Sequence, residues 1–244
     1  MIDHVTDSGW AASAGAWIAD MGETGDAARR DVLDPLVRGW LQKLSPKTVL
    51  DVGCGEGRLC RMMAGMGMEA TGLDPTPALI DHARARDPAG RYIEAMAEAM
   101  PTQDAAYDMV LTCLSLIDIA DMDAAIGEMA RVLAPGGALL AVNLASHVTA
   151  VHRKTTDGSA WIWRDGEPVH FGIDDYLKER AFWGEWRGIR IQNHHRPLSR
   201  YMSAYLAQGL TLEAFEEPGH PNPDPELRYN RIPYFNLMVW RKPA

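Results

Sequence analysis

Val49-Leu50-Asp51-Val52-Gly53-Cys54-Gly55-Glu56-Gly57-Arg58 is the stretch on which the fold turns. Residues 48–52 read as a strand that runs into a glycine cluster, and residues 58–66 then place apolar side chains at helical spacing. Glycines at alternate positions between a strand and a helix allow positive φ. They also let a ligand press against bare backbone at the carboxyl end of a sheet, so a nucleotide-like cofactor is expected there. The plainer alternative is an ordinary tight turn. A dinucleotide site asks for Gly-x-Gly-x-x-Gly, but the position three after Gly55 is Arg58, and Glu56 inside the turn would repel a pyrophosphate. A cofactor without phosphates suits the turn better.

Working outward, residues 69–73 read as a second strand ending at Asp74-Pro75, and Pro77 opens a helix to about residue 86. Asp74 is placed either to hold a ribose diol or to cap that helix, and the two roles can coexist. Further strands are expected at 91–94, 107–112 and 138–143, with a helix at 122–133 stopped by Pro135-Gly136-Gly137. Strands alternating with helices predict a parallel sheet covered on both faces. Residues 161–171 alternate around an Asp-Gly turn, a hairpin signal weakened by Pro168. A helix at 198–208 and strands at 210–215 and 233–241 close the chain. The expected class is α/β: a Rossmann-like seven-stranded mixed sheet, mostly parallel, with one antiparallel strand near the end and an α/β cap insertion. One domain is expected, divided into helices at 1–45, a cofactor-binding core at 46–145, a cap at 146–197 and a closing part at 198–244.

Composition narrows the function. The 244 residues are 47% hydrophobic and 23% charged, which is ordinary globular usage and excludes disorder, collagen and coiled coil. A net charge of −9 leaves no general positive field, so nucleic acid is not an expected partner. Three cysteines without disulfide or zinc spacing fit a reducing cytoplasm, and Cys54, Cys60 and Cys113 read as small packing residues. The acidic first residues do not resemble a secretory signal, and no run approaches the ~20 apolar residues of a membrane span. No metal is expected, because neither His-Glu-x-x-His nor a carboxylate cluster is present. Oligomeric state is left open.

Five blocks in order carry a resemblance: Asp51-Val52-Gly53-Cys54-Gly55-Glu56-Gly57, Gly72-Leu73-Asp74-Pro75, Ala97-Glu98-Ala99-Met100-Pro101, Tyr107-Asp108-Met109-Val110 and Arg131-Val132-Leu133-Ala134-Pro135-Gly136-Gly137. Across about 48–143 the chain resembles the class I S-adenosylmethionine-dependent methyltransferases. Ala16-Trp17-Ile18-Ala19-Asp20-Met21-Gly22 and His194-His195-Arg196-Pro197-Leu198-Ser199 resemble a narrower, type 11-like group that acts on small molecules. The resemblance implies S-adenosylmethionine as cofactor, Gly53 and Gly55 beside its methionine part, Asp74 on its ribose, Ala97 and Glu98 by its adenine, and Cys113 opening the loop that flanks the sulfonium. Asp51, Cys54 and Pro75 complete the expected cofactor set, with Arg30 offered to the cofactor carboxylate or, alternatively, to solvent. Met96 stands where the family often has an aspartate for the adenine amino group; apolar packing, backbone or Glu98 would then serve.

A methyl acceptor must enter from the loops after the fourth and fifth strands, and a cap holding Trp161, Trp163, Trp183 and Trp186 should cover it. The segment from about 148 to 192 is expected to form a lid. Trp17, Ser115, Asn143, Trp183, His194 and Tyr201 are the expected acceptor contacts. An oxygen or nitrogen acceptor benefits from a base, for which His195, then His147 and Asp118, are the candidates. A backbone-bonded structural role for His195 is the alternative. The expected function is methyl transfer to O or N of a small, aromatic or apolar molecule. The rivals are a catalytically silent subunit or sensor that binds S-adenosylmethionine, aminopropyl transfer, and a dehydrogenase.

Overall fold

The computed structural model describes residues 8–150 and 160–244. The strands are β1 (Thr48–Val52), β2 (Glu69–Asp74), β3 (Arg91–Glu94), β4 (Tyr107–Cys113), β5 (Leu133–Leu144), β6 (Trp161–Arg164), β7 (Glu167–Phe171), β8 (Arg180–Trp186), β9 (Ile189–His195), β10 (Thr211–Glu216) and β11 (Phe235–Arg241). The main helices are α1 (Trp10–Met21), α2 (Asp34–Leu44), entered through a π-helical turn at Arg29–Leu33, α3 (Arg58–Gly65), α4 (Pro77–Arg86), α5 (Met122–Val132) and α6 (Leu198–Ala207).

β1 is central because its side chains can be sealed on both faces: Val49, Leu50 and Val52 are fully buried. It pairs in parallel with β2 and β4, β3 extends the sheet beyond β2, and β5 extends it beyond β4. β11 lies antiparallel between β5 and β10, so the order is β3-β2-β1-β4-β5-β11-β10. The seven-stranded mixed sheet expected from the sequence is therefore observed. Alternation splits the apolar side chains into two layers. Leu50, Val110, Leu139 and Met238 meet α5 and α6, while Val49, Leu111, Leu140 and Leu237 meet α2, α3 and α4.

Two boundaries differ from the sequence reading. β5 begins at Leu133, ahead of Pro135-Gly136-Gly137, because a register shift opposite Tyr107 and Met109 absorbs the turn. Lys242 replaces a glycine cap there, its Nζ donating to the carbonyls of Ala130 and Leu133 at 2.8 and 2.7 Å. In the cap, β6 and β7 form the predicted hairpin around Asp165-Gly166, both at positive φ. Pro168 is tolerated because the pairing slips between Ile162 and Trp163. A second hairpin, β8 with β9, had no turn signal as plain as Asp-Gly; its corner is Arg187-Gly188. The expected lid runs partly through 151–159, which lie outside the described residues. Among the described residues, no helix is long and apolar enough to cross a membrane.

Candidate active site

The glycine turn is hooked onto β2: the amides of Gly53 and Cys54 donate to the Leu73 carbonyl at 2.7 and 3.0 Å. A Cβ on Gly53 would collide with the Ser115 side chain, so the loop after β4 sits directly on the turn. Ser115 is fixed there, its hydroxyl donating to the Val52 carbonyl at 2.7 Å. Gly55 is different. At φ +54° it faces open space, with only the Trp17 indole nitrogen 3.7 Å from where a Cβ would stand. Its amide donates to Asp74 Oδ2 at 3.0 Å, while Asp74 Oδ1 accepts from the Thr76 amide at 2.8 Å. Asp74 thus lines the cavity in front of Gly55, but it does not cap α4: its bond to Thr76 lies ahead of the helix, whose N-cap residue makes no side-chain cap hydrogen bond.

That cavity has a volume of about 420 Å³. The ends of β1, β2 and β3 contribute Gly53, Gly55, Asp74, Pro75, Ala97 and Glu98, all expected at a cofactor site. Cys113, Ser115 and Asp118 come from β4 and its loop, Trp17 from α1, and His194 from β9. Asp118 is partly buried and doubly held: Oδ2 accepts from the Trp10 indole at 3.2 Å, and Oδ1 accepts from the Asn193 amide. Burial pushes its carboxyl up to about 8. Burial, with Arg196 nearby, lowers His194 to about 4, so its ring is neutral at pH 7. The Cys113 thiol, pushed up to about 12 by burial, is a wall and not a nucleophile.

Eight expected residues lie off the cavity wall, each for a physical reason. Asp51 sits beneath the turn, its carboxyl pushed up to about 7 by burial with the Cys60 thiol donating to it at 3.6 Å. Cys54 is buried beside Gly72. Arg30 donates to the Gly25 carbonyl at 2.6 Å. Its neighbour Arg29 lines the cavity instead, paired with Asp26 at 2.7 Å and lying 4.8 Å over the Trp17 ring. Asn143 and Tyr201 are buried in the sheet and the α6 core. Trp183, half-exposed under Arg190, points away, whereas Trp186, three residues on and so on the opposite face of β8, lines the cavity. His147 holds the Pro233 carbonyl at 2.7 Å. His195 is fully buried with both ring nitrogens in use, 2.6 Å from the Thr149 hydroxyl and 2.8 Å from the Tyr176 carbonyl. It has no free edge to offer an acceptor.

α1 closes the cavity by two indole latches, Trp10 to Asp118 and Trp17 to Glu56 Oε2 at 3.1 Å. The rings themselves pack edge to face at 5.0 Å. The sequence reading singles out neither Trp10 nor Asn193, and it places Trp186 in the cap without giving it a contact. The helical i, i+7 spacing of Trp10 and Trp17 was the available signal for the first of them.

Residues 50–141 match the family model described as a methyltransferase domain. The chain is similar to the malonyl-[acyl-carrier protein] O-methyltransferase of Pseudescherichia vulneris, 36% identical over 181 residues that cover 64% of this chain and 71% of that protein. The chain belongs to the class I S-adenosylmethionine-dependent methyltransferases. The enzyme of the same name from Serratia marcescens is 35% identical over 156 residues, and the match covers 64% of this chain but only 59% of that relative. Among solved structures, a putative S-adenosylmethionine dependent methyltransferase from Listeria monocytogenes superimposes with a TM-score of 0.72 at 25% identity, over 85% of this chain and 96% of that one. S-adenosylmethionine, the cofactor of the family, meets a fitting set of groups here. Open backbone at Gly55, a carboxylate at Asp74, an apolar slot between Leu79 and Met96, and the Asp26–Arg29 charge pair all face one cavity.

Proposed function

We propose that this methyltransferase acts on an oxygen or nitrogen of a small, flat or apolar acceptor, with Asp118 taking the acceptor's proton. The reading rests above all on Asp118, a partly buried carboxyl held by two neutral donors on the wall of the cavity that also contains Gly55 and Asp74. The cofactor, when bound, supplies an electrophilic methyl group on a positively charged sulfur. This chain's own residues bind, orient and dry the site. Asp74 would accept from the ribose hydroxyls, Arg29 and Asp26 would take the carboxylate and ammonium, and Met96 and Ala97 would pack the adenine. Trp10, Trp186 and Phe235 form walls suited to a flat acceptor and exclude water from the transfer.

A second reading is favoured by the two curated relatives: a malonyl group on acyl carrier protein as acceptor. Against it, the one Arg or Lys among the described lining residues is Arg29, already paired with Asp26. One experiment separates the readings. Methyl transfer from isotopically labelled cofactor is measured over phenols, hydroxyquinolines, heteroaromatic amines and malonyl-acyl carrier protein, with the wild type and Asp118→Asn. Turnover of a flat hydroxyl or amine compound that falls ~10²–10⁴-fold in Asp118→Asn supports the proposal. Turnover of the malonyl substrate alone, or an unimpaired variant, overturns it.

A further inference from the structure

Glu56 places a buried acidic side chain inside the glycine turn, and its partner is the Trp17 indole of α1. We infer that Trp17, held by Glu56, is the wall that closes the slot in front of Gly55 over the amino-acid arm of the cofactor, and so sets how tightly a ligand bearing that arm is bound. The sequence groups Trp17 with the acceptor contacts, but its hydrogen-bond partner lies in the turn after β1. This role stands on the cofactor of the family alone and does not depend on the acceptor.

Two walls make the slot. One is the bare backbone of Gly55, which lines the cavity at φ +54°. Apart from its chain neighbours, the only described group within 4 Å of where its Cβ would stand is the Trp17 indole nitrogen, at 3.7 Å. A chain of methylenes laid on Gly55 therefore meets the indole at van der Waals distance. The ring is preset. Its nitrogen donates to Glu56 Oε2 at 3.1 Å, Trp10 packs against it edge to face at 5.0 Å, and the Arg29 guanidinium lies 4.8 Å over it. A side chain of the turn itself thus fixes where α1 crosses the cavity. Trp10 and Trp17 are separated by ~10 Å along the helix axis. Trp10 reaches Asp118 in the loop after β4, whereas Trp17 reaches the turn after β1, and between them α1 packs on β9 and α4. Beside Trp17, the Asp26–Arg29 pair lines the same cavity. An arm that carries a carboxylate and an ammonium on two methylenes matches both halves of this corner, its charges against the pair and its methylenes between the indole and Gly55.

Calorimetry tests this with two ligands that differ in the arm alone. S-adenosylhomocysteine carries it, and 5′-methylthioadenosine ends in a methyl group on the same sulfur. Trp17→Ala should weaken S-adenosylhomocysteine about tenfold or more and change 5′-methylthioadenosine less than about twofold. Trp17→Phe, which keeps an aromatic wall and gives up the bond to Glu56, should recover most of the lost affinity. Unchanged S-adenosylhomocysteine affinity in a folded Trp17→Ala protein overturns the inference. So does an equal loss for both ligands, which would make Trp17 a general support of the cavity. Should Trp17→Ala fail to fold, fluorine NMR of the wild type carrying 5-fluorotryptophan decides. The resonance that is missing from Trp17→Phe must shift with S-adenosylhomocysteine and hold still with 5′-methylthioadenosine; a resonance that ignores both ligands, or answers both equally, removes Trp17 from the arm.

Discussion

Gly53 and Gly55 share a positive φ, yet substitutions at the two should fail for different reasons. At Gly53 a side chain meets Ser115, so Gly53→Ala should lose ~2 kcal/mol or more of stability, read as a lower urea midpoint. Gly55→Val pays a backbone cost of ~1–2 kcal/mol and should still fold, but its side chain occupies the cradle and should abolish S-adenosylhomocysteine binding. Near wild-type affinity in that folded variant would remove the turn from the cofactor site. For Asp74→Ala, cofactor affinity should drop by ~1.5–3 kcal/mol, with a lower melting temperature as well, since the Gly55 and Thr76 amides lose their acceptor. His195→Ala should behave in the reverse way. It leaves the Tyr176 carbonyl and the Thr149 hydroxyl short of a partner, costing ~2–3 kcal/mol of stability, while cofactor affinity stays unchanged. Sequence ranks His195 first as a base, and in an extended pair His194 and His195 face opposite ways, so only one ring points inward. Sequence cannot tell an inward ring facing the cap from one facing the cavity, and His194 is the ring on the cavity.

Among the elements, the two cap hairpins divide the labour. No side chain of β6 or β7 lines the cavity, whereas Trp186 ends β8 and Ile191, Asn193 and His194 belong to β9. Replacing residues 161–171 by a short Gly-Ser link should therefore leave cofactor affinity within about twofold, because such a link adds only a flexible coil at the surface. Calorimetry checks it, and a larger loss would mean that the first hairpin also shapes the cavity. The hairpin carrying the plain Asp165-Gly166 signal is thus the one with no cavity contact. The one that bears the site turns at Arg187-Gly188, and without its boundaries the phase of the tryptophans could not be read. The sequence points to Trp183, whereas Trp186 is the tryptophan that lines the cavity, a difference of one strand face. α1 shows the same limit. Its Ala-rich run reads as a helix, but nothing local says that Trp10 reaches a carboxylate more than a hundred residues away.

For the whole molecule, the central sheet was legible because each βα unit carries its own punctuation, while the rest of the cavity wall is assembled from separated segments, α1, the loop after β4, β8–β9 and the start of β11. Two carboxyls also leave a mark on stability. Asp118 at about 8 and Asp51 at about 7 are raised above their unfolded values, so the fold binds more protons than the unfolded chain, and stability is lost as pH rises towards those values. His194 and His195, both lowered by burial, act in the opposite sense and cost stability as pH falls below about 6.5. Melting temperature should therefore decline from pH 6.5 to 8, and Asp118→Asn should flatten the decline; an unchanged slope would remove Asp118 as its source. The strand order has a separate consequence for biosynthesis. β5 takes as its outer neighbour the last strand of the chain. During translation its edge stays bare while residues 145–234 are made, on the order of ten seconds at ~5–20 residues per second. A nascent chain thus exposes an apolar, unpaired edge for that interval, the kind of surface on which polysomes aggregate and holdase chaperones act.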